Sequence, residues 1–243
     1  MCGRFTLKTP VADWLADLFP NWDTHAPHVA PAANATLNQS RYNIAPTQQI
    51  AVVRYDQEDR LILDSMRWGL LPRWADSLSV GYNMINARSE TLAEKPSFRP
   101  SLIDKRCVVL ADGYYEWKKL SPKTKEPYWI HTQGEHVFAM AGLWAENRKI
   151  HNPVSPGSAI ESATIITTES NSDLVSVHDR MPATMLSEDQ IAQWLDPTLN
   201  NLNHLEQLLQ QLRPSETGLL HLRRVSTRVN SPANDSPENI AAH

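Results

Sequence analysis

The spacing of apolar and polar residues along this chain predicts a protein built mostly from strands. IAVVRY (50–55) and RLILDSMRW (60–68) are apolar, β-branched runs separated by a polar turn, the pattern of two adjacent strands. RCVVLADGYYEWKK (106–119) reads as a buried strand, a turn at Asp112-Gly113 and a second strand. YWIHT (128–132) and HVFAMAGLW (136–144) read as a hairpin turning near Gln133-Gly134. SATIITTES (162–170) and LLHLRRVSTRV (219–229) supply further strands. Helical spacing occurs in three places. Thr9-Pro10 before VADWLADLF gives an N-cap and a proline at the first helical position. SEDQIAQWL (187–195) opens on Ser187 with Gln190 three residues on, as in a capping box. LNHLEQLLQQL (202–212) repeats its leucines at helical intervals. Residues 20–40 and 148–160 lack periodicity and read as surface loops, and the polar, Pro-containing end, 231–243, reads as a disordered tail. Strands dominate without a βαβ rhythm or a repeat, which predicts a single α+β domain on mainly antiparallel sheet, with residues 1–230 as its extent.

Composition narrows the function classes. A chain of 243 residues, 41% hydrophobic and 21% charged, can bury a full core without staples. It has two cysteines, Cys2 and Cys107, which suits a reducing compartment better than a disulfide framework. Asp13 and Asp17 interrupt the first apolar stretch, and no run approaches a membrane span, so a cytoplasmic protein without a membrane partner is expected. The net charge of −4 argues against a general nucleic-acid binder. The charge is uneven, however: residues 1–130 sum to +2 and residues 131–243 to −6, which leaves room for a local basic groove. No metal-ligand cluster, phosphate-binding glycine loop or dinucleotide fingerprint is present, so no cofactor and no metal are expected.

Five features carry candidate chemistry. Cys2 directly follows the initiator methionine in MCGRF. Trimming of Met1 would leave an amine and a thiol on one residue, with reference pKa values of about 8 and 8.5. Such a 1,2-aminothiol condenses with an aldehyde to an imine and then closes to a thiazolidine. The plain alternative is a chance cysteine at a chain end. Asn86 and Arg88 lie two apart in MINARSET, hence on one face of a strand. Asn86 could orient a nucleophile and Arg88 grip a phosphate, or the two could be an ordinary turn residue and a surface cation. Glu116, set among Tyr114, Tyr115 and Trp117, could be desolvated and suited to proton transfer, or could face solvent from an edge strand. His178 in VHDRMP could shuttle protons beside Arg180, or could be structural. In RWGLLPRW (67–74), tryptophans interleaved with arginines suit stacking of single-stranded bases, or a core with surface cations.

Taken together and in order, MCGRF, RYNIAPTQ (41–48), RWGLLPRW, INARSET (85–91), CVVLADGYYEWKK (107–119) and VHDRMP (177–182) resemble the motif series of the SRAP (SOS response-associated peptidase) family, from residue 2 to about 230. The resemblance implies a compact α+β domain with a barrel-like β core flanked by helices. It implies a sensor and shield of abasic sites in single-stranded DNA, joined covalently to the lesion through Cys2 after Met1 removal, with abasic-site lyase chemistry as a further activity. It assigns Asn86 to positioning Cys2 and the sugar, Glu116 to acid–base work, and His178 to proton transfer at the sugar. Arg4, Arg88 and Arg180 would hold phosphates, and Asn43 would line the Cys2 pocket. Where some relatives carry two aromatics after the motif proline, this chain has Arg73 and Trp74, so only Trp74 remains to stack on a base. The expected partner is single-stranded DNA containing an abasic site, bound by a monomer that is nucleoid-associated when on DNA. Two other readings stand beside this one: a cysteine peptidase acting at Cys2, and a non-covalent single-strand-binding module.

Overall fold

A computed structural model describes residues 2–10, 18–19, 28–30 and 37–243. The helix expected after Thr9-Pro10 and most of the 20–40 segment lie outside the described residues. The two runs at 50–68 become strands β4 (Gln49–Tyr55) and β5 (Leu61–Trp68), paired antiparallel from Gln49↔Arg67 to Tyr55↔Leu61. They are preceded by β1 (Phe5–Leu7), β2 (His28–Val29) and β3 (Arg41–Ile44). They are followed by β6 (Asn86–Arg88), β7 (Arg106–Ala111), β8 (Gly113–Lys119), β9 (Lys125–Thr132), β10 (Phe138–Asn147) and β11 (Ile160–Glu169). Short strands β12 (Arg180–Pro182) and β13 (Thr184–Met185) and the longer β14 (Leu220–Arg224) complete the set.

Five of these strands close a barrel. β5 pairs β4, β4 pairs β7, β7 pairs β10 and β10 pairs β11, all antiparallel. β11 then returns to β5 in parallel, through Ser162↔Arg67 and Ala163↔Trp68. Closure removes the open edges that a flat sheet would expose. Ile50, Met66 and Trp68 lie on one face of the β4–β5 pair and Leu63 on the other, and all four are fully buried. β7 is buried along its whole length because helices cover its outer face. These are α1 (Arg99–Asp104) and α2 (Glu188–Leu195). Ser187 caps α2 as expected, its hydroxyl accepting from Gln190 N at 3.3 Å. Arg106 joins the two helices to the barrel by donating to Leu102 O, Ile103 O, Trp194 O and Asp196 O, carbonyls that the helix ends leave without intrahelical partners. The leucine-rich run at 202–212 forms a 3₁₀ turn followed by α3 (Leu205–Gln210). Among the described residues no helix is long and apolar enough to cross a membrane.

The second sheet has the order β14-β9-β8-β1-β3. Its composition corrects two expectations. β7 and β8 are not a hairpin, and neither are β9 and β10: in each case the chain leaves one sheet and enters the other. At the first crossing, Asp112 is fully buried and Gly113 faces Trp129, where a Cβ would lie 2.2 Å from the indole nitrogen. Only glycine fits there. The two sheets pack through Phe5 of β1, whose ring meets Trp68 edge-on at 5.1 Å.

The end of the chain also differs from expectation. Residues 231–243 fold back on the second sheet rather than trailing as a disordered tail. Asp235 accepts from the backbone of Tyr42 and Asn43 and from Arg41 Nε at 2.6 Å, while Asn239 is fully buried. The polar side chains that suggested disorder are instead the hydrogen-bonding partners of a strand edge.

Candidate functional site

The N-terminal strand is fixed by the crossing at Asp112. Its carboxylate accepts from Thr6 Oγ1 at 2.5 Å, Lys8 N at 2.6 Å, Thr9 N at 3.0 Å and Thr9 Oγ1 at 3.1 Å. β1 also pairs with β8 through Phe5↔Tyr114, and Tyr115 N donates to Arg4 O at 2.9 Å. These bonds place Cys2, just before β1, in the buried space between the second sheet and the barrel; it is fully buried.

Asn86 reaches the same place from β6, which runs parallel to β11 with Asn86 beside Ile165. Its Nδ2 donates to the Cys2 carbonyl at 2.8 Å, while its Oδ1 is buried with no partner among the described residues. Arg88 shares the Asn86 face and is exposed. Glu116 lies on β8 between β9 and β1 and is 2% exposed, so the solvent-facing alternative does not hold. Burial raises its pKa above the usual carboxylate range, and nearby positive charge partly offsets the rise. His178 sits in the loop after β11; its Nδ1 accepts from Arg180 N at 3.0 Å and lies 2.8 Å from Asp179 Oδ1.

The Cys2 thiol is pushed far up by burial and then by the Glu116 carboxylate. It donates weakly to Arg4 O at 3.8 Å. A neutral, desolvated thiol is the reverse of an activated peptidase cysteine, which is held as a thiolate by neighbouring positive charge. The site therefore offers a residue held by its own carbonyl, an unionised thiol and a carboxyl group of raised pKa. That set can receive and release protons around an electrophilic carbon.

Three expected site residues are placed differently. Asn43 is fully buried, and its Nδ2 turns to Val229 O, Ser231 O and Asn234 O, clamping the C-terminal segment. Arg4 donates to Asn43 Oδ1 at 3.2 Å, Val229 O at 2.8 Å and Asn230 O at 3.3 Å. Arg180 is buried and bidentate to Glu90, at 2.6 and 3.0 Å, and donates to Thr167 O at 2.5 Å. As placed, it braces β11 and β12 against the Ser89–Thr91 turn. Trp74 is 52% exposed on a loop that Asn147 holds from both sides by donating to Pro72 O and Ala75 O.

Two residues were missed from sequence. Asp112 positions the N-terminal strand, and its signal was an acid inside an otherwise apolar run, which a turn also explains. Tyr114 shares the Glu116 face of β8; its hydroxyl is buried with no partner among the described residues, and burial, Cys2 and Glu116 all raise its pKa. Among the described residues no cluster of His, Cys, Asp or Glu is arranged to hold a metal ion.

Comparison with known proteins gives consistent matches over the whole chain. The family model described as "SOS response associated peptidase (SRAP)" matches residues 1–232. The chain is 41% identical over 243 residues to "Abasic site processing protein YoqW" of Bacillus subtilis (strain 168), covering 100% of both. It is 33% identical to "Abasic site processing protein HMCES" of Xenopus tropicalis, covering 92% of this chain and 70% of that protein. A crystal structure of a protein from Bacteroides thetaiotaomicron shares the fold, with a TM-score of 0.79 at 23% identity and full coverage of both chains.

Proposed function

The chain belongs to the SOS response associated peptidase family, and from that premise we propose that it captures abasic sites in single-stranded DNA as a covalent adduct on Cys2. The observation that carries this reading is the bond from Asn86 Nδ2 to the Cys2 carbonyl. That carbonyl belongs to the Cys2–Gly3 peptide, so the hold on Cys2 does not depend on Met1. Once Met1 is removed, the α-amine attacks the ring-opened aldehyde of the abasic sugar. Glu116 in its protonated form, which burial favours, donates to the departing hydroxyl, and one water leaves as the imine forms. The Cys2 sulfur then adds to the imine carbon while its proton passes to the imine nitrogen through Glu116. The product is a thiazolidine, and the net change is loss of one water.

The order of events follows from the thiol's raised pKa: the amine acts first, and the sulfur closes the ring on an already electrophilic carbon. His178 transfers protons at the sugar, in reversal or in strand-cleaving lyase chemistry. Exposed Arg88 meets a flanking phosphate, and Trp74 stacks on a neighbouring base. The protein acts as a monomer. A peptidase mechanism would need a thiolate, which this burial opposes. A purely reversible binder would have no use for a buried carboxyl group beside Cys2.

The test is incubation with single-stranded DNA containing one abasic site, followed by denaturing electrophoresis. A shifted band should form with the Met1-trimmed protein and vanish with Cys2→Ala or when Met1 is retained. A trimmed wild-type protein that gives no such band would overturn the reading.

A further inference from the structure

Four lysines, Lys118, Lys119, Lys123 and Lys125, fall within eight residues around the β8–β9 turn of a chain whose net charge is −4. Lys119 and Lys125 are directly opposed in the ladder, and Trp117↔Pro127 is the next pair on the same face. Like charges placed opposite each other weaken a strand pair. Among the described residues, none of Lys119, Lys123 and Lys125 has a carboxylate at ion-pair distance. The nearest acid in the ladder, Glu126, is engaged by Arg224 at 3.1 Å and by the Tyr128 hydroxyl at 3.3 Å. The strands stay paired out to Lys119↔Lys125, so this charge is held in place at a standing cost.

Two of these lysines, Lys123 and Lys125, line a groove of about 420 Å³ with Trp117, Pro122 and Asn230, and Lys119 is paired with Lys125 beside it. Trp117 Nε1 donates to Asn230 Oδ1 at 2.8 Å, which fixes the ring, and the Asn230 carbonyl accepts from Arg4 Nη2 at 3.3 Å. Asn230 thus joins the groove to Arg4, two residues from Cys2.

We propose that this groove holds the single strand flanking the captured lesion, with Lys119, Lys123 and Lys125 on its phosphates and Trp117 beneath a base. The identification of the lesion rests on the function proposed above; the groove's affinity for a single strand does not. Unpaired cations suit phosphates, and a fixed indole beside them gives a base a surface to stack on. Continuity with Arg4 and the aromatic floor favour a nucleic-acid strand over an acidic peptide.

The test uses an undamaged, fluorescent 20-nucleotide single strand, which Cys2 cannot capture, and reads anisotropy across a salt series. The triple variant Lys119→Gln, Lys123→Gln, Lys125→Gln should bind roughly tenfold more weakly at low salt. Its slope of log K against log salt should be shallower by about 2, because each phosphate neutralised on a single strand adds about 0.7 to the slope. Its thermal midpoint should not fall, because the substitution relieves repulsion. Equal slopes for the variant and wild type would overturn the proposal, as would loss of polyglutamate binding with DNA binding intact. An altered slope together with failure of both proteins to capture abasic DNA would instead sink the Cys2 reading and leave the groove.

Discussion

Glu116 is a carboxyl group whose burial works against its ionisation, and this has two measurable consequences. Its folded pKa lies above its unfolded one. The folded state is therefore not penalised below the ordinary carboxylate range, loses stability as pH rises through that range, and carries the full cost above the folded pKa. Glu116→Gln removes that cost, so the variant should melt higher than wild type at pH 8, with the gap shrinking toward pH 4. The same substitution should slow abasic-site capture by about 10²-fold, the usual weight of one positioned acid–base group. A variant that melts lower at pH 8, or captures at the wild-type rate, would contradict this assignment. At Cys2 the two functional groups can be separated. Cys2→Ser keeps the amine but forms a less stable ring, so its adduct should survive denaturation only after borohydride reduction. A Cys2→Ser adduct as durable as wild type without reductant would show that the sulfur is dispensable.

At the scale of elements, the strand between Asp112 and Lys119 positions the site, and its geometry is demanding at one end. Gly113→Ala would put a methyl group 2.2 Å from the Trp129 indole nitrogen, which is itself bonded to Thr6 Oγ1 at 3.1 Å and cannot easily yield. Overpacking of this kind should cost about 3 kcal/mol, measurable by urea unfolding. A loss under about 1 kcal/mol would mean that the crossing is softer than described. This region also shows where sequence stops being informative. Apolar runs along 106–119 and 128–144 locate the strands to within a few residues, because each strand's own burial writes its pattern. It does not say that consecutive strands belong to different sheets, since a crossing and a hairpin turn both use a short polar break such as Asp112-Gly113. The identities of Cys2, Asn86 and Glu116 are legible from their motifs. The partners of Arg4, Asn43 and Arg180 are not, because those partners lie up to 226 positions away in the chain.

For the molecule as a whole, the barrel and the second sheet bring Cys2, Asn86 and Glu116 together from distant parts of the chain, and the C-terminal segment packs along the edge of the second sheet. Composition misleads there, because a polar, Pro-containing stretch describes a strap across a strand edge as well as a free tail. Asn43→Ala would take a donor from three carbonyls, of which Val229 O keeps Arg4 and Asn234 O keeps Asn239 while Ser231 O loses Asn43, and should cost about 2 kcal/mol and open residues 231–243 to protease. An unchanged cleavage pattern would place the hold elsewhere, on Asp235. The central claim concerns the start of the chain, and intact-mass spectrometry of the product with abasic single-stranded DNA tests it most directly. The account predicts one species: the protein without Met1, plus the DNA, less one water, formed without reductant and absent in Cys2→Ala. An adduct that retains Met1, or an adduct formed equally well by Cys2→Ala, would contradict it.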